Sequence, residues 1–545
     1  MMRKISFLLA LSLLFTARAQ VVNINPDKNA DPWYVGGLRI PSEEEMRAIP
    51  VFEPPAGYER SPEDLPEYWD NSTNDYFRPV FTQSDGSCSQ SSGVAYTFTY
   101  EINRLNGTDA AYTANQFPSH YTYNFLNDGS GENGSFYTDG WSIIMKGGCP
   151  TVPVFGGMAP SDRYWMSGYD KYESGMHDRV VNFFSINVGT PEGLNELKQW
   201  MYDHYDGSDT GGVVNFSAGA LDTFTMVGNK IVSWGTQVNH AMTFVGWNDN
   251  ITYDYNNDGQ ITNDVDINGD GEVNMKDWER GALIMVNSWG YYWGNQGKAY
   301  VMYKTLAEPV SNGGIFMNSV HGINVTSGVE PQLILRVKLN YNKRKRIKFL
   351  AGYNTDLSAQ YPNEVWISSA YFSNQGGDYP MNGTTNVPFE VSFDVSELYQ
   401  GMVDAGTVKF FLLIQESDPD GTGEGQIIDI SLMDGQGNVY ECPDHNLYIE
   451  NHTMNFFPFV VSLEATGTQQ AGLLDFALYP NPVDEFANID FEGGEVSVEL
   501  TGATGRTVLK TNEKHLDLSG LPGGVYFVKI TDSHGRYGIQ KLIKK

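Results

Sequence analysis

A cysteine at the entrance of a helix-forming stretch constrains this chain more than any other feature. Thr82-Gln83-Ser84-Asp85-Gly86-Ser87-Cys88-Ser89 passes through a Gly-containing turn, and apolar residues then recur at Val94, Phe98, Ile102 and Leu105. That spacing fits one face of an α-helix. The hydroxyls of Ser89, Ser91 and Ser92 are suited to capping its start. A thiol at the N-terminal end of a helix feels the positive end of the macrodipole, which favours the thiolate. A lone cysteine is more often a buried packing residue, so a catalytic reading needs a base and a group to orient it.

Two distant segments supply them. Val238–Trp247 reads as a strand carrying His240 at its start, and Leu283–Gly290 as a second strand ending in Asn287-Ser288-Trp289-Gly290. Nucleophile, base and orienting amide are the parts of a Cys-His-Asn site. On these residues the chain resembles the papain-like cysteine peptidases. The order Gln83, Cys88, His240, Asn287 matches that family, as does Asn-Ser-Trp-Gly-x-x-Trp-Gly at 287–294. His240 follows Cys88 by 152 residues, close to the family's usual separation. The resemblance implies that Cys88 is the nucleophile and His240 the general base. It implies that Asn287 orients the imidazole, while Gln83 and the Cys88 backbone N–H form the oxyanion hole. The segment Gly131–Phe136 is similar to the family's Asn-Gly-Gly stretch, which makes Gly134 and Ser135 candidate substrate contacts; an ordinary loop is the alternative.

Three departures accompany the resemblance. The step from Gln83 to Cys88 is five positions, where the family usually has six. Ser89 stands where an aromatic residue usually follows the nucleophile. The paired cysteines that brace most secreted relatives are absent: besides Cys88 there are only Cys149 and Cys442, which fall in different expected domains. The altered spacing and Ser89 support a rival reading, a catalytically weak or inactive papain-like binding or adhesion protein of the cell surface, against which the intact Cys88, His240 and Asn287 weigh.

Residues 248–280, between base and orienting amide, read as an insertion with its own chemistry. Asp254, Asn256 and Asp258 place ligand oxygens at positions 1, 3 and 5, with Gly259 at 6, Gln260 at 7 and Ile261 at 8, and Asp266, Asn268 and Asp270 repeat the pattern with Gly271, Glu272 and Val273. This is the Ca²⁺-loop pattern of EF-hand-like sites. Asp277 closes the second loop at position 12, as in the dockerin-type variant that it resembles. The first has Val265 there and needs Asp264 or Asp266 instead. A structural Ca²⁺ is the expected cofactor; a solvated acidic loop is the alternative.

With 545 residues the chain needs several cores. Arg3 and Lys4, the apolar run Ile5–Phe15 and Ala17-Arg18-Ala19 mark residues 1–19 as a secretory signal, and no segment has the apolar length of a transmembrane span. Residues 20–63 are a short propeptide or an N-terminal strap. The expected α+β papain-like catalytic domain, with two lobes and the site in the cleft between them, occupies 64–329. Short alternating strands punctuated by Gly, Asn and Asp make 330–465 an accessory β-sandwich. Its basic run Lys343–Arg346 is expected to be a solvated strand edge. Residues 466–545 are a linker and a small β module. There Leu478–Pro482, Gly505-Arg506-Thr507, Leu521–Tyr526 and the basic end Lys541–Lys545 resemble the C-terminal sorting domain of type IX secretion substrates of Bacteroidetes. That resemblance implies the type IX secretion machinery as a partner and export through the periplasm, to a secreted or outer-surface location that includes cell-surface attachment. A net charge of −31 argues against nucleic acid as a partner. The function expected is hydrolysis of protein or peptide substrates through an acyl-enzyme intermediate.

Overall fold

The computed structural model describes residues 20–22, 36–55, 58, 64–221, 223–463, 476–491, 496–502, 507–532 and 537–545. The expected signal segment 1–19 and the linker through 475 lie outside the described residues.

Up to residue 326 the strands join one ten-stranded sheet. Its order is 20–22, 224–227, 230–233, 298–302, 280–286, 235–252, 214–219, 319–326, 179–187, with 68–70 paired to 235–252. The long strand Gly235–Thr252 is central and buried without a break from His240 to Trp247. Such a run suits a strand covered on both faces. His240 therefore lies well inside this strand, five residues from its start. Antiparallel pairing sets Ala218 opposite His240 on one side and Thr243 opposite Val286 on the other. One step past that ladder comes Asn287, so the register alone brings the imidazole and the amide onto neighbouring strands.

Cys88 opens a continuous helical segment to Asn106, with a widened π-type stretch at Ser91–Phe98 and a left-handed Gly107 at its C-terminal end. The widened stretch lies against Trp141, whose Nε1 donates to the Gly93 carbonyl at 2.9 Å. The segment is buried on every side from Cys88 to Asn103, while Leu105 is 45% exposed because the last turn leaves the core. The serines do not cap it, in correction of the sequence reading. Ser89 and Ser92 turn outward to bond other elements, Ser92 to Thr243 Oγ1 at 3.0 Å and to Asn215.

Residues 333–463 form two antiparallel sheets, one ordered 389–394, 333–341, 425–434, 439–441 and the other 364–367, 347–354, 407–416, 454–462. Their buried faces share one apolar cluster with the helical region around Cys88. Tyr121 Oη meets Tyr371 Oη at 3.0 Å, and the Phe125 ring sits 5.1 Å from Phe372. Arg336 makes two 2.7 Å bonds to Glu173, and Arg179 pairs with Asp394 at 2.6 Å. The basic run is a correction too. Arg344 is buried, stacked 4.2 Å over Trp165, and donates to the carbonyls of Gly376 and Arg163, each at 2.8 Å. Lys345 pairs with Asp128, Arg346 with Asp378 and Lys343 with Asp418. An arginine can bury its planar head where carbonyls accept its N–H groups and an aromatic face covers it. From residue 476 onward, two small sheets pack around a separate cluster drawn only from 476–542. Among the described residues no helix is long and apolar enough to cross a membrane.

Candidate active site

The segment before Cys88 is laced to the segment after Asn287. Gln83 N–H donates to Ser288 O at 2.7 Å and Gly290 N–H to Phe81 O at 3.1 Å. The Ser288 hydroxyl then donates to Gln83 Oε1 at 2.6 Å, and Gln83 Nε2 reaches the Asp85 carbonyl at 3.1 Å. Ser288 was missed in the sequence, although it lies within the Asn-Ser-Trp-Gly motif. The chain turns at Asp85, which has a left-handed φ of 56°. Ser87 Oγ donates to Ser84 O at 2.6 Å and steadies the approach to Cys88.

His240 Nε2 lies 2.8 Å from Asn287 Oδ1, which also accepts the Ser288 N–H at 2.8 Å. An atom accepting a backbone N–H is an oxygen, so Nε2 carries the proton and Nδ1 holds the lone pair. Nδ1 has no hydrogen-bond partner among the described residues. The ring stacks on Trp289 at 4.4 Å, and Trp289 in turn meets Trp293 edge-on at 5.8 Å. The Tyr96 hydroxyl holds the Asn287 carbonyl at 3.2 Å. The backbone N–H of Ala241, adjacent to His240, is directed at the Cys88 thiol. The structure thus brings Gln83, Cys88, His240 and Asn287 to one place.

All four are buried, and the chain's own N-terminal segment passes close to the turn before Cys88. Ser135 N–H donates to Gly37 O at 2.9 Å and Arg39 N–H donates to Ser135 O at 2.9 Å, a parallel bridge centred on Leu38. The Gly37 N–H is directed at the Cys88 thiol. Two glycines make the close passage possible. A Cβ on Gly37 would fall 1.8 Å from the Gly86 carbonyl oxygen, and one on Gly134 would fall 2.4 Å from Gly37 O. Beyond the cleft, Arg39 is held by Glu45 at 3.0 Å and Asp139 at 2.9 Å, and Ser42 opens a short helix with a capping box. Phe52 then enters a box of Phe184, Trp200 and Tyr205 while Pro50–Phe52 bonds to Ser185.

Burial shifts the two titratable groups of the site in opposite directions. Burial pushes the Cys88 thiol above its ordinary pKa, against the smaller opposing effect of the N–H groups around it. Burial also lowers His240 to about 4, with the Asn287 bond acting in the opposite direction. Against the helix dipole, which favours a thiolate, desolvation of the buried thiol acts in the opposite direction.

The segment that carries Gly134 and Ser135 is fixed from below. Ser89 Oγ donates to Ser135 O at 2.7 Å, and Gln90 Nε2 to Ser135 Oγ at 3.0 Å and Phe136 O at 2.9 Å. No sequence signal marked these bonds.

The insertion curls into two similar loops. In the first, Asp254 accepts from Asp258 and Gly259 N–H, Asn256 from Asp258 N–H, and Asp258 from Gln260 N–H. In the second, Asp266 accepts from Gly269 and Gly271, Asn268 from Asp270, and Asp270 from Glu272. Buried Asp277 turns into the second loop and accepts from Ile267, Asn268 and Asn274. The carboxylate turned into the first is not that of Asp264 or Asp266. Buried Glu279 accepts from Tyr255 at 2.7 Å and Thr262 at 3.1 Å, the counterparts of two Asp277 bonds. Neither Asp277 nor Glu279 has a Lys or Arg partner among the described residues. The donor set, carboxylates and amide oxygens, suits a hard cation. Among the described residues no three His, Cys, Asp or Glu side chains are gathered as a metal cluster.

Comparisons with known proteins bear on the two ends of the chain differently. No curated protein matches. Solved structures similar to it include a digestive procathepsin L2 proteinase from Tenebrio molitor (16% identity, 54% of this chain and 79% of that one, TM-score 0.35). Xylellain, a cysteine protease from Xylella fastidiosa, is 15% identical over 53% of this chain and 96% of its own, with a TM-score of 0.35. The bromelain protease from Ananas comosus is 12% identical over 48% and 99%, with a TM-score of 0.30. The family match lies elsewhere: residues 477–545 fit the secretion system C-terminal sorting domain, and a chain that carries this domain is exported to a secreted or cell-surface location.

Proposed function

We propose that this is a secreted cysteine peptidase held latent by its own N-terminal segment. The observation that carries the reading is the His240–Asn287 bond, which fixes the imidazole tautomer and leaves Nδ1 unpartnered among the described residues. With residues 36–39 withdrawn, water lowers the cost of charge and the thiol proton passes to Nδ1. Sulfur attacks the scissile carbonyl, and the oxyanion is held by Gln83 Nε2 and the Cys88 N–H. His240 returns the proton to the leaving amine, giving a thioester. It then takes a proton from water, which attacks the thioester and releases acid and free thiol. Gly134 and Ser135 hold the backbone of an extended substrate. The fold reading that goes with this is a papain-like two-lobe domain followed by a β-sandwich at 330–465 and the sorting domain.

Ca²⁺ belongs to the same reading. Asp254, Asn256, Asp258 and Gln260 with Glu279, and Asp266, Asn268, Asp270 and Glu272 with Asp277, would hold it. The support is two buried carboxylates without cationic partners in an acid-dense loop. Its contribution would be charge neutralisation and rigidity.

The deciding experiment is labelling with an epoxide-type thiol inhibitor, followed by peptide mapping and assay of Cys88→Ala. Label on Cys88 and loss of hydrolysis in the variant are expected. Full hydrolysis by Cys88→Ala would refute the assignment, whereas no label on Cys88 and no hydrolysis by the wild type would leave the binding-protein reading.

A further inference from the structure

Ser89 replaces the aromatic residue that the resemblance leads one to expect, and it is fully buried. Its hydroxyl points away from the helix and donates to the Ser135 carbonyl at 2.7 Å. A carbonyl oxygen has two acceptor directions. Ser89 takes one, and the other receives the N–H of Arg39, the chain now lying in the cleft. Gln90 adds bonds to Ser135 Oγ and Phe136 O, and its own Oε1 accepts from Thr122 Oγ1 at 2.9 Å. The stretch 131–136 belongs to no regular strand, so no sheet ladder fixes this carbonyl. Extended chains are recognised through backbone groups held in place in this way.

We propose that Ser89 is a substrate-positioning residue. Its hydroxyl, seconded by the Gln90 amide, holds the Ser135 carbonyl as the backbone acceptor for an extended peptide lying beside Cys88. In the latent chain that peptide is residues 36–39; in turnover, which rests on the peptidase reading above, it is the substrate. The same hydroxyl also lies 4.0 Å from the Cys88 sulfur, and this gives the test its sign. If Ser89 holds the carbonyl, removing the hydroxyl loosens the covering segment and exposes the thiol. If Ser89 served the thiolate instead, removing it would make the thiol less reactive.

The test compares wild type, Ser89→Ala, Ser89→Thr and Gln90→Met as full-length chains. The readout is the rate of Cys88 alkylation by iodoacetamide, located by peptide mapping, with melting curves alongside. Alkylation is expected to quicken about five-fold in Ser89→Ala, as loss of one ordinary hydrogen bond implies, and to quicken also in Gln90→Met. Ser89→Thr, which keeps the hydroxyl, restores the slow rate. In the matured enzyme KM for an extended peptide should rise by a similar factor in Ser89→Ala while kcat holds. Unchanged or slower alkylation in both Ser89→Ala and Gln90→Met overturns the proposal, as does a fall in melting temperature with neither kinetic change. Because alkylation needs no turnover, this result stands even if the wild-type chain hydrolyses nothing.

Discussion

The His120 imidazole Nε2 lies 3.1 Å from an Asp85 carboxylate oxygen, tying a fully buried ring to the turn that carries both Gln83 and Cys88. Asp85 has the left-handed backbone that non-glycine residues adopt at a cost of about 1–3 kcal/mol. The Gly86 N–H bond to Gly131 O, at 2.7 Å, pins the turn from its other side. With a step of five from Gln83 to Cys88, this pair holds the turn between the proposed oxyanion donor and Cys88. His120→Ala should lower kcat about 10- to 100-fold, the scale of a misplacement near 1 Å, and weaken a peptide aldehyde that forms an oxyanion. Alkylation of the thiol should change little. Equal loss in both assays would mean general disorder instead.

Acid should destabilise the latent chain through its buried histidines. His240 is lowered to about 4 and His321, which accepts or donates at 2.6 Å to the Tyr137 hydroxyl, to about 3, both by burial. Between those values and the ordinary 6.5 the unfolded chain binds more protons, so stability is complete above about 6.5 and falls as pH drops towards 4. For His240 the loss is on the order of 3 kcal/mol. Urea midpoints at pH 7 and pH 4.5 measure it, and His240→Asn should show a smaller difference between them. Identical pH profiles for the two proteins would rule this out.

The sheets of 333–463 should prove inseparable from the catalytic part. A chain ending at 329 would expose the apolar face around Phe125, Trp165 and Tyr172. It is expected to aggregate or melt well below the longer protein. Arg344→Ala, which removes buried bonds and the stack on Trp165, should cost roughly 3–5 kcal/mol, read from denaturant curves. A soluble, active 64–329 fragment would contradict this.

Chelation should lower the melting temperature of the proposed Ca²⁺ form. At a hundredfold excess over Kd, binding to the folded state alone contributes about 2.7 kcal/mol. Ca²⁺ should restore the midpoint better than Mg²⁺, whose octahedral preference suits these loops less. Asp277→Asn and Glu279→Gln should each remove part of the chelator response. If chelator leaves wild type unchanged, the loops are acidic surface only.

Mass spectrometry of the exported protein should place its C-terminus near 465–475, with the sorting domain removed. Finding Lys545 at the end of the surface form would argue for retention.

That Gln83, Cys88, His240 and Asn287 would come together was legible because a thiol, an imidazole and two amides are distinct residue types in a fixed order. What covers them was not legible. Gly36-Gly37 signals backbone freedom but says nothing of the wall it must pass. Arg344 misled because its sequence neighbours are charged, whereas its surroundings, Trp165 and three carbonyls, come from distant segments. Glu279 lies two residues beyond the expected loop, and only the fold turns it back. His120 sits in an unremarkable run, Pro118–Tyr123, where nothing distinguishes it from a surface histidine.

The single core shared by the helix that Cys88 opens and the two following sheets has a consequence for how such a gene can be rearranged. A recombination break near 329 would split one apolar interior and leave two open faces, so the sheets cannot be traded for another module the way a beads-on-a-string domain can. A break before 476 severs no core, because the last cluster is complete by itself. The export label is free to be shuffled among unrelated cargoes, while the part that carries Cys88 and the two sheets packed on it must be inherited as one piece.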